Sequence, residues 1–271
     1  MAGRPTDKAT EEFWRDFLTR GDSMEALGRR VFKRIPSSPR CRLCAAPFSG
    51  PGAPVMRLIG KRPSNANPTM CNSCFSFIGR HHGGAEVEGT MLFADIRGST
   101  TLAESMSPGA FHELLNRFYS VATEVVFAHN GTIDKFVGDE LVALFFPLLS
   151  GERHVAAAIE AATALLRATG HADADGPWAP VGAGVHTGRA WFGAVGEGTH
   201  VELTAVGDAV NVAARLASNA STGEVLVSDD AAREGGLDPS LERRSLLLKG
   251  RAQSTEVVSL RVGAAPPRTG T

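Results

Sequence analysis

The sequence predicts an α+β protein in which a ferredoxin-like βαββαβ domain follows a small helical and four-cysteine metal-binding module. From residue 89 onward, short apolar runs alternate with segments of helical periodicity, the pattern of an antiparallel sheet with helices on one face. All four cysteines lie before this point, in two CxxC pairs. Residues 1–88 contain 14 Lys and Arg against 8 Asp and Glu, whereas residues 89–271 contain 14 against 21. The two parts of the chain therefore differ in chemistry.

Length and composition are those of a globular protein with room for one large domain and a small module. The chain has 271 residues, of which 43% are hydrophobic and 21% are charged, and its formal net charge is −1. No apolar run reaches the roughly 18 residues that cross a bilayer. The first residues lack the apolar core of a signal peptide. We therefore expect a cytoplasmic protein, in which structural disulfides are uncommon.

The domain boundaries are predicted from shifts in composition. Adjacent glycines in "GRHHGGAEVEG" indicate a linker. The predicted organisation is a helical segment (1–40), a CxxC...CxxC module (41–80), a linker (81–88), the α+β domain (89–262) and a flexible tail (263–271).

Residues 7–35 are predicted to be helical, because apolar side chains recur there at the i, i+4 spacing of one helix face. Phe13 and Phe17 form one such pair. The sequence "GDS" at 21–23 is expected to divide the segment into two helices, which end before Pro36.

The four cysteines, Cys41, Cys44, Cys71 and Cys74, form the motifs "CRLC" and "CNSC". Two CxxC pairs place four thiolates on two tight turns, which suits tetrahedral Zn²⁺. An iron–sulfur cluster, a redox-active thiol pair and inert cysteines are the alternatives. The 26 residues between the pairs are rich in Gly, Pro and Asn, so a metal ion would supply the stability that a small core lacks.

The N-terminal part is also strongly basic. Residues 26–85 contain ten Lys and Arg and no acidic residue. A solvated surface normally mixes the two signs of charge. The sequence therefore predicts an anionic partner for this module, either the acidic remainder of the chain or a separate partner such as nucleic acid or lipid headgroups.

Hydrophobic periodicity predicts the elements of the α+β domain in order. They are a strand at "GTMLFADI", helical structure over 100–130, a hairpin turning at Gly138-Asp139, a helix over 153–169, a strand pair turning at Gly188, the helix "GDAVNVAARLASNAS" and late strands at "EVLVS", "RRSLLLKG" and "TEVVSLRV". The early elements follow the ferredoxin-like βαββαβ order.

Two aspartates are expected to meet in this arrangement. Asp95 ends the first strand, and Asp139 lies in the turn of the hairpin beside it. Two carboxylates at one place repel each other unless a cation lies between them. Carboxylate oxygens, together with substrate phosphates, are the ligands that Mg²⁺ prefers. Each aspartate alone fits a simple turn-forming role, but the pair predicts a divalent-metal site.

Three motifs, "FADIRGST", "DKFVGDELVALF" and "TAVGDAVNVAARL", resemble those of the class III nucleotidyl cyclases in order and approximate spacing, over about residues 88–260. The resemblance implies an adenylate cyclase that converts ATP to 3′,5′-cyclic AMP and pyrophosphate with two Mg²⁺ or Mn²⁺ ions. It implies that Asp95, Asp139 and the backbone carbonyl of Ile96 bind these ions. It also implies a homodimer, in which each active site is built from both chains.

The resemblance assigns roles to further residues. Lys135 and Thr204 would read the purine, and Asn211 and Arg215 would stabilise the transition state. Asn211 and Arg215 stand at i, i+4 on one helix face, so both side chains can reach the same ligand. A guanidinium matches phosphate oxygens. Lys135 can donate to N1 of adenine, whereas N1 of guanine carries a proton of its own, so the lysine indicates ATP.

Three further assignments complete the predicted site. Ser99 and Thr100 begin a helix, where a phosphate is favourably placed. Lys249 in "LLLKG" resembles a family lysine that contacts the triphosphate, but it could equally be a surface lysine of a strand. Arg97 and Ser99 fill positions that vary in the family, and no chemistry is assigned to Arg97.

Other functions remain as alternatives to a regulated adenylate cyclase. A guanylate cyclase would use GTP, and a non-catalytic sensor would bind nucleotide without converting it. A nucleic-acid-binding regulator would use the basic cysteine module and would bind in a strongly salt-dependent way.

Overall fold

A computed structural model describes residues 8–20, 24–37, 39–196, 201–248 and 254–263. The chain divides into two compact units. The first unit contains residues 1–88, 146–152 and 189–207, and the second contains residues 89–145, 153–188 and 208–271. Two later stretches of the chain thus belong with its N-terminal part, which the predicted domain boundaries did not anticipate. The predicted helix break at 21–23 and nearly all of the predicted tail lie outside the described residues.

The described helices and strands were assigned as follows. In chain order they are α1 (Lys8–Thr19), α2 (Met24–Lys33), α3 (Ala53–Leu58), α4 (Asn72–Arg80), β1 (Gly83–Ile96), α5 (Ser99–Ser105), α6 (Pro108–Ala128), β2 (Thr132–Val137), β3 (Glu140–Phe145), α7 (Pro147–Ser150), α8 (His154–Ala168), β4 (Val181–Val195), β5 (Glu202–Val206), α9 (Asp208–Asn219), β6 (Glu224–Ser228), α10 (Asp229–Glu234), β7 (Arg243–Leu246) and β8 (Thr255–Arg261). None of these helices is long and apolar enough to cross a membrane.

The strand order of the sheet is β2-β3-β1-β4-β6-β8-β7, and β5 pairs with β4. The part β2-β3-β1-β4 has the ferredoxin-like order, which confirms the predicted fold class. Helices α6 and α8 pack on each other and on the strands β2 and β3. The sheet is mixed rather than wholly antiparallel, because β4 and β6 run parallel. Parallel strands need a long crossover, and the chain between them includes β5 and α9.

Aromatic side chains hold the N-terminal helices of the first unit together. The ring of Phe17 lies 5.0 Å from that of Phe77 in α4, and the ring of Phe13 is stacked on His81 at 4.3 Å. Trp14 is fully buried and donates its Nε1–H to the backbone oxygen of His81 at 2.8 Å. The predicted helical periodicity is confirmed, and it serves to pack α1 against α4.

Residues 83–88, predicted as part of a linker, form the beginning of β1. A Cβ atom on Gly84 would lie 2.3 Å from the backbone oxygen of Phe192, and one on Gly193 would lie 2.4 Å from that of Gly83. Glycine permits this close approach of two backbones because it has no side chain. The glycine pair therefore marks a packed contact and not a flexible joint.

The prediction of a strand pair that turns at Gly188 is wrong, because β4 runs without a turn from Val181 to Val195. A Cβ atom on Gly188 would lie 3.3 Å from the Cβ of Ala209, at the beginning of α9. The glycine makes room for a helix instead of reversing the chain. Strand β5, which follows β4 and pairs with its second half, was not predicted.

We expect Gly184→Ala to destabilise the second unit, because α9 lies directly against this position. An added Cβ atom would lie 2.2 Å from the backbone nitrogen of Ala217 and 2.7 Å from the backbone oxygen of Ala213. Overpacking against backbone costs about 1–3 kcal/mol, which chemical denaturation would measure. Gly109→Ala is the matched control, since its nearest neighbour is the Ser107 hydroxyl at 4.0 Å. Equal stability of the two variants would contradict the expected contact.

Candidate active site

The carboxyl groups of Asp95 and Asp139 meet at the end of the β1–β3 pair. Asp95 is opposite Glu140 in the strand register, and Asp139 directly precedes Glu140. Burial raises the pKa of Asp95 to about 7, a hydrogen bond with Asp139 and the charges of Asp139 and Glu140 add to the rise, and Arg97 opposes it. Burial and the charge of Asp139 also raise the pKa of Glu140. The neighbouring carboxylates thus disfavour the ionisation of Asp95 and Glu140.

Arg97 is a site residue that the sequence analysis missed. Its Nη2 lies 2.7 Å from Oδ2 of Asp95, and its Nη1 donates to the backbone oxygen of Ser218 at 3.2 Å. Ser218 belongs to the last turn of α9, so Arg97 connects Asp95 to that helix. The sequence did contain a signal for this ion pair, since a cationic residue follows the predicted metal ligand Asp95 by two positions.

The turn that carries Asp139 is held from α6. Gly138 has a left-handed φ of 61°, a conformation that glycine adopts without strain. The hydroxyl of Tyr119 donates to the backbone oxygen of Gly138, and its ring is stacked on Phe136 with centroids 4.1 Å apart. This support for the hairpin was not predicted, although the hairpin itself is confirmed.

The donor set at this edge fits a divalent cation. Asp95 and Asp139 supply carboxylate oxygens, and the carbonyl of Ile96 follows at the end of β1. Hard oxygen ligands suit Mg²⁺ and Mn²⁺. A bound cation would favour the ionised carboxylates that otherwise repel each other.

Asn211 and Arg215 lie one helical turn apart on α9. Asn211 is exposed and Arg215 is half-buried. Their neighbours Val212 and Leu216 are buried in the core that includes β6 and β8. Within the described part of the chain, no hydrogen bond or ion pair involves the side chain of Asn211 or the guanidinium of Arg215. Both groups are therefore free to bind a ligand.

The two predicted purine-binding residues lie on different strands. Lys135 is exposed on β2, and its Nζ lies 3.5 Å from Oδ2 of the buried Asp134. Thr204 lies on β5 in the first unit, where it is buried and opposite Gly193 of β4. Each residue has the side chain its predicted role requires, and those roles stay predictions.

The remaining predicted phosphate contacts are only partly described. Ser99 begins α5, as expected, and Thr100 follows it in the exposed first turn, but this helix has only seven residues. Lys249 lies outside the described residues. Phosphate binding by these three residues stays a prediction.

The four cysteines converge in the first unit and are all buried and free of disulfides. Their Sγ atoms lie within 4.8 Å of one another, and those of Cys44 and Cys71 are 3.7 Å apart. Four sulfurs around one tetrahedral Zn²⁺ at 2.3 Å would be about 3.8 Å apart. In a [4Fe–4S] cluster each cysteine binds a different iron, so its sulfurs stand farther apart. The four-cysteine centre, as we call these residues, therefore fits a single tetrahedral ion.

Several basic residues of this region bind backbone carbonyls within the first unit. Arg29 is 2% exposed and donates to the backbone oxygens of Arg42 and Leu43. Arg40 donates to those of Phe32 and Ile35. Part of the positive charge thus holds together a region with little core of its own. These contacts give no support to the predicted anionic partner.

Comparison with known proteins identifies the family. Residues 85–260 match the family model described as the adenylate and guanylate cyclase catalytic domain. This chain belongs to that family. Its four-cysteine centre lies before the matched residues.

Solved cyclase structures share the fold of the cyclase domain. The guanylyl cyclase Cya2 is 25% identical with a TM-score of 0.59, and the match covers 69% of this chain and 98% of that one. The adenylyl cyclase CyaB from P. aeruginosa is 27% identical with a TM-score of 0.57, covering 69% and 99%. The predicted cyclase fold is confirmed.

Relatives of the cyclase domain include longer proteins. Adenylate cyclase 1 of Rhizobium meliloti is 38% identical over 144 residues, which are 50% of this chain and 22% of that protein. The adenylate cyclase of Anabaena cylindrica is 33% identical over 138 residues, or 47% and 26%. This chain spans about a quarter of the length of these relatives.

Proposed function

We propose that this cyclase is an adenylate cyclase, which converts ATP to 3′,5′-cyclic AMP and pyrophosphate. The observation that carries the proposal is the meeting of Asp95 and Asp139 at the end of β1 and β3. Lys135, on the neighbouring strand β2, favours adenine, because a lysine can donate to the unprotonated N1 of adenine but not to N1–H of guanine. The adenylate cyclases among the relatives agree with this choice.

In the proposed reaction, the ribose 3′-hydroxyl releases its proton to water and its oxygen bonds to the α-phosphorus. The bond from the α-phosphorus to the bridging oxygen breaks, and pyrophosphate leaves. Two Mg²⁺ or Mn²⁺ ions, when bound, would supply activation of the 3′-hydroxyl and balance of the triphosphate charge. Asp95, Asp139 and the Ile96 carbonyl would hold them. Arg97 would orient the Asp95 carboxylate, which it contacts at 2.7 Å.

Asn211 and Arg215, on α9, would act on the reacting groups of the substrate. Arg215 offers a fork of N–H donors for the charge that develops on the phosphate oxygens, and Asn211 can orient the ribose. We propose that these residues, with Lys135 and Thr204, complete the site of a partner subunit in a homodimer. A symmetric dimer of this chain would then contain two equivalent active sites.

The first unit would regulate this activity through structural zinc at the four-cysteine centre. The convergence of the Sγ atoms within 4.8 Å supports a single ion. A cytoplasmic location stays a prediction.

The proposed activity is tested with purified full-length chain, ATP and GTP assayed side by side with Mg²⁺ and with Mn²⁺, and the zinc content of the same sample. We expect cyclic AMP from ATP and little product from GTP. Preferred use of GTP would make the protein a guanylate cyclase. Binding of an ATP analogue without any product would make it a sensor, and salt-dependent binding of nucleic acid would favour the third alternative.

We expect Lys135→Glu to lower kcat/KM for ATP by about 100-fold, because a carboxylate presents an acceptor to the adenine N1 acceptor, and mismatched polar groups cost about 2–3 kcal/mol. The same variant is expected to raise the relative use of GTP. Lys135→Met is the matched control, since it removes the donor without adding an acceptor and should lose ATP use without gaining GTP use. An unchanged ratio of ATP to GTP activity in Lys135→Glu would contradict the assigned role.

A further inference from the structure

The first CxxC motif directly contacts the strand that carries Thr204. Arg42 lies between the metal-ligand candidates Cys41 and Cys44, and its Nη2 donates to the backbone oxygen of Leu203 at 3.2 Å. Leu203 and Thr204 are adjacent on β5, and Thr204 is buried. A residue of the first CxxC motif is therefore hydrogen-bonded one position away from the proposed purine-binding threonine, within a single compact unit.

The backbone of Arg42 is fixed by the fold around the cysteines. Its N–H donates to the backbone oxygen of Thr69 at 2.9 Å, and the neighbouring Cys41 N–H donates to that of Ala46. The N–H of Cys71 donates to the Sγ of Cys41 at 3.2 Å, which ties the second CxxC motif to the first. Four converging thiolates stay together only when a cation binds them, since metal binding and local folding are coupled at such sites.

Two cations near the four-cysteine centre make the same region sensitive to the charge of that centre. The Arg29 guanidinium is buried, interacts electrostatically with Cys41, Cys44 and Cys74, and donates to the backbone oxygen of Arg42 at 3.0 Å. The Nζ of Lys61 lies 4.0 Å from the Sγ of Cys44. A Zn²⁺ bound by four thiolates carries two negative charges, which these cations offset. Loss of the metal would leave the buried Arg29 without compensating charge, so the loop that positions Arg42 would rearrange.

We propose that Arg42 is a positioning residue that couples metal occupancy of the four-cysteine centre to purine binding through strand β5. The inference deepens the proposed function, because it rests on Thr204 contacting the base. With the metal bound, Arg42 holds the Leu203 carbonyl and thereby the orientation of Thr204. Without the metal, or without the guanidinium, β5 loses this support and nucleotide binding weakens. The residues that would perform the chemistry, Asp95 and Arg215, do not belong to this path.

The test compares Arg42→Ala and Arg42→Lys with Arg57→Ala in the full-length chain. Arg57 is an exposed arginine of α3 in the same unit, so its substitution changes the net charge equally and serves as the control. We expect Arg42→Ala to retain one zinc per chain and to raise both KM for ATP and Kd for a non-hydrolysable ATP analogue by about tenfold, the effect of a lost charged hydrogen bond. We expect kcat to change less than twofold. Arg42→Lys should recover part of the affinity, and Arg57→Ala should match wild type.

Zinc removal supplies the coupling measurement. Chelation of wild type should raise Kd for the analogue, and added zinc should restore it, whereas Arg42→Ala should show little further change in Kd on chelation. Circular dichroism checks that the stripped proteins stay folded, and cobalt substitution checks tetrahedral thiolate ligation by its absorption spectrum. An unchanged Kd in zinc-loaded Arg42→Ala, loss of zinc from that variant, or an equal response of both proteins to chelation would each overturn the proposal. Because Kd is measured without turnover, absence of cyclic AMP formation would contradict the proposed function separately.

Discussion

Asp139→Ala is expected to lower cyclic AMP formation at least 1000-fold while the protein stays folded. Asp139 supplies a carboxylate at the edge where Asp95 also lies, and removal of one ligand from a metal site that activates the nucleophile removes most of the rate. The stability of the metal-free variant should equal or slightly exceed that of metal-free wild type, because Asp139 contributes to the raised pKa of Asp95 and its removal relieves that repulsion. Product formation, Mn²⁺ binding by calorimetry and thermal unfolding would be measured on one sample.

Asp173→Ala is the matched control for this substitution, since Asp173 is an exposed aspartate of the same unit. It should keep wild-type activity and Mn²⁺ affinity. Asp139 is a better target than Asp95, because removal of Asp95 would leave Arg97 without the carboxylate that it contacts at 2.7 Å. Wild-type turnover in Asp139→Ala would exclude the proposed metal site.

Asp139→Ala and Arg215→Ala are each expected to be almost inactive alone and to regain activity when mixed. If each active site takes Asp139 from one chain and Arg215 from the other, a mixed dimer contains one site with both defects and one intact site. In an equimolar mixture half of the dimers are mixed, so about one quarter of the wild-type activity should return in a symmetric two-site dimer. The measurement is cyclic AMP formation against mixing ratio.

The complementation needs proof that subunits exchange, which native mass spectrometry of a size-tagged variant supplies. Mixing Asp139→Ala with itself, tagged and untagged, is the control and should give no recovery. Recovery near zero in dimers that demonstrably exchange would show that the two residues act within one chain, or that they do not serve the same site.

Hydrophobic patterning predicted the elements whose side chains face one core. The hairpin of β2 and β3 and the helix α8 were found because their buried residues recur at the period of a strand or a helix. The proximity of Asp95 and Asp139 followed from topology, because Asp95 lies at the end of β1 and Asp139 directly precedes the neighbouring strand β3. These features depend on local sequence and on a common fold.

The sequence was less informative where one residue type serves two purposes. Gly188 was predicted to form a turn, but it provides space for α9. Gly84 was predicted to lie in a linker, but it provides space for β4. Arg97 was interpreted as a variable position, because the sequence does not show the side-chain direction on which its ion pair with Asp95 depends. The short helix α3 lies in the segment rich in turn-forming residues and was not predicted. Helix α4 was not predicted either, because it packs on α1 through Phe77, a tertiary contact that local propensity does not show.

The composition of the first unit shows that the cyclase domain cannot be separated from the N-terminal part at the boundary of the family match. Residues 189–207 fold with the N-terminal part, Gly84 packs on Phe192, and Arg42 binds Leu203. Trimming to residues 85–260 would remove Gly84 and Arg42, and the backbone oxygen of Leu203 would lose its hydrogen bond from Arg42, although β5 would keep its pairing with β4. A graft of this cysteine module onto another cyclase would therefore have to include the 189–207 segment, because the two stretches fold as one compact unit.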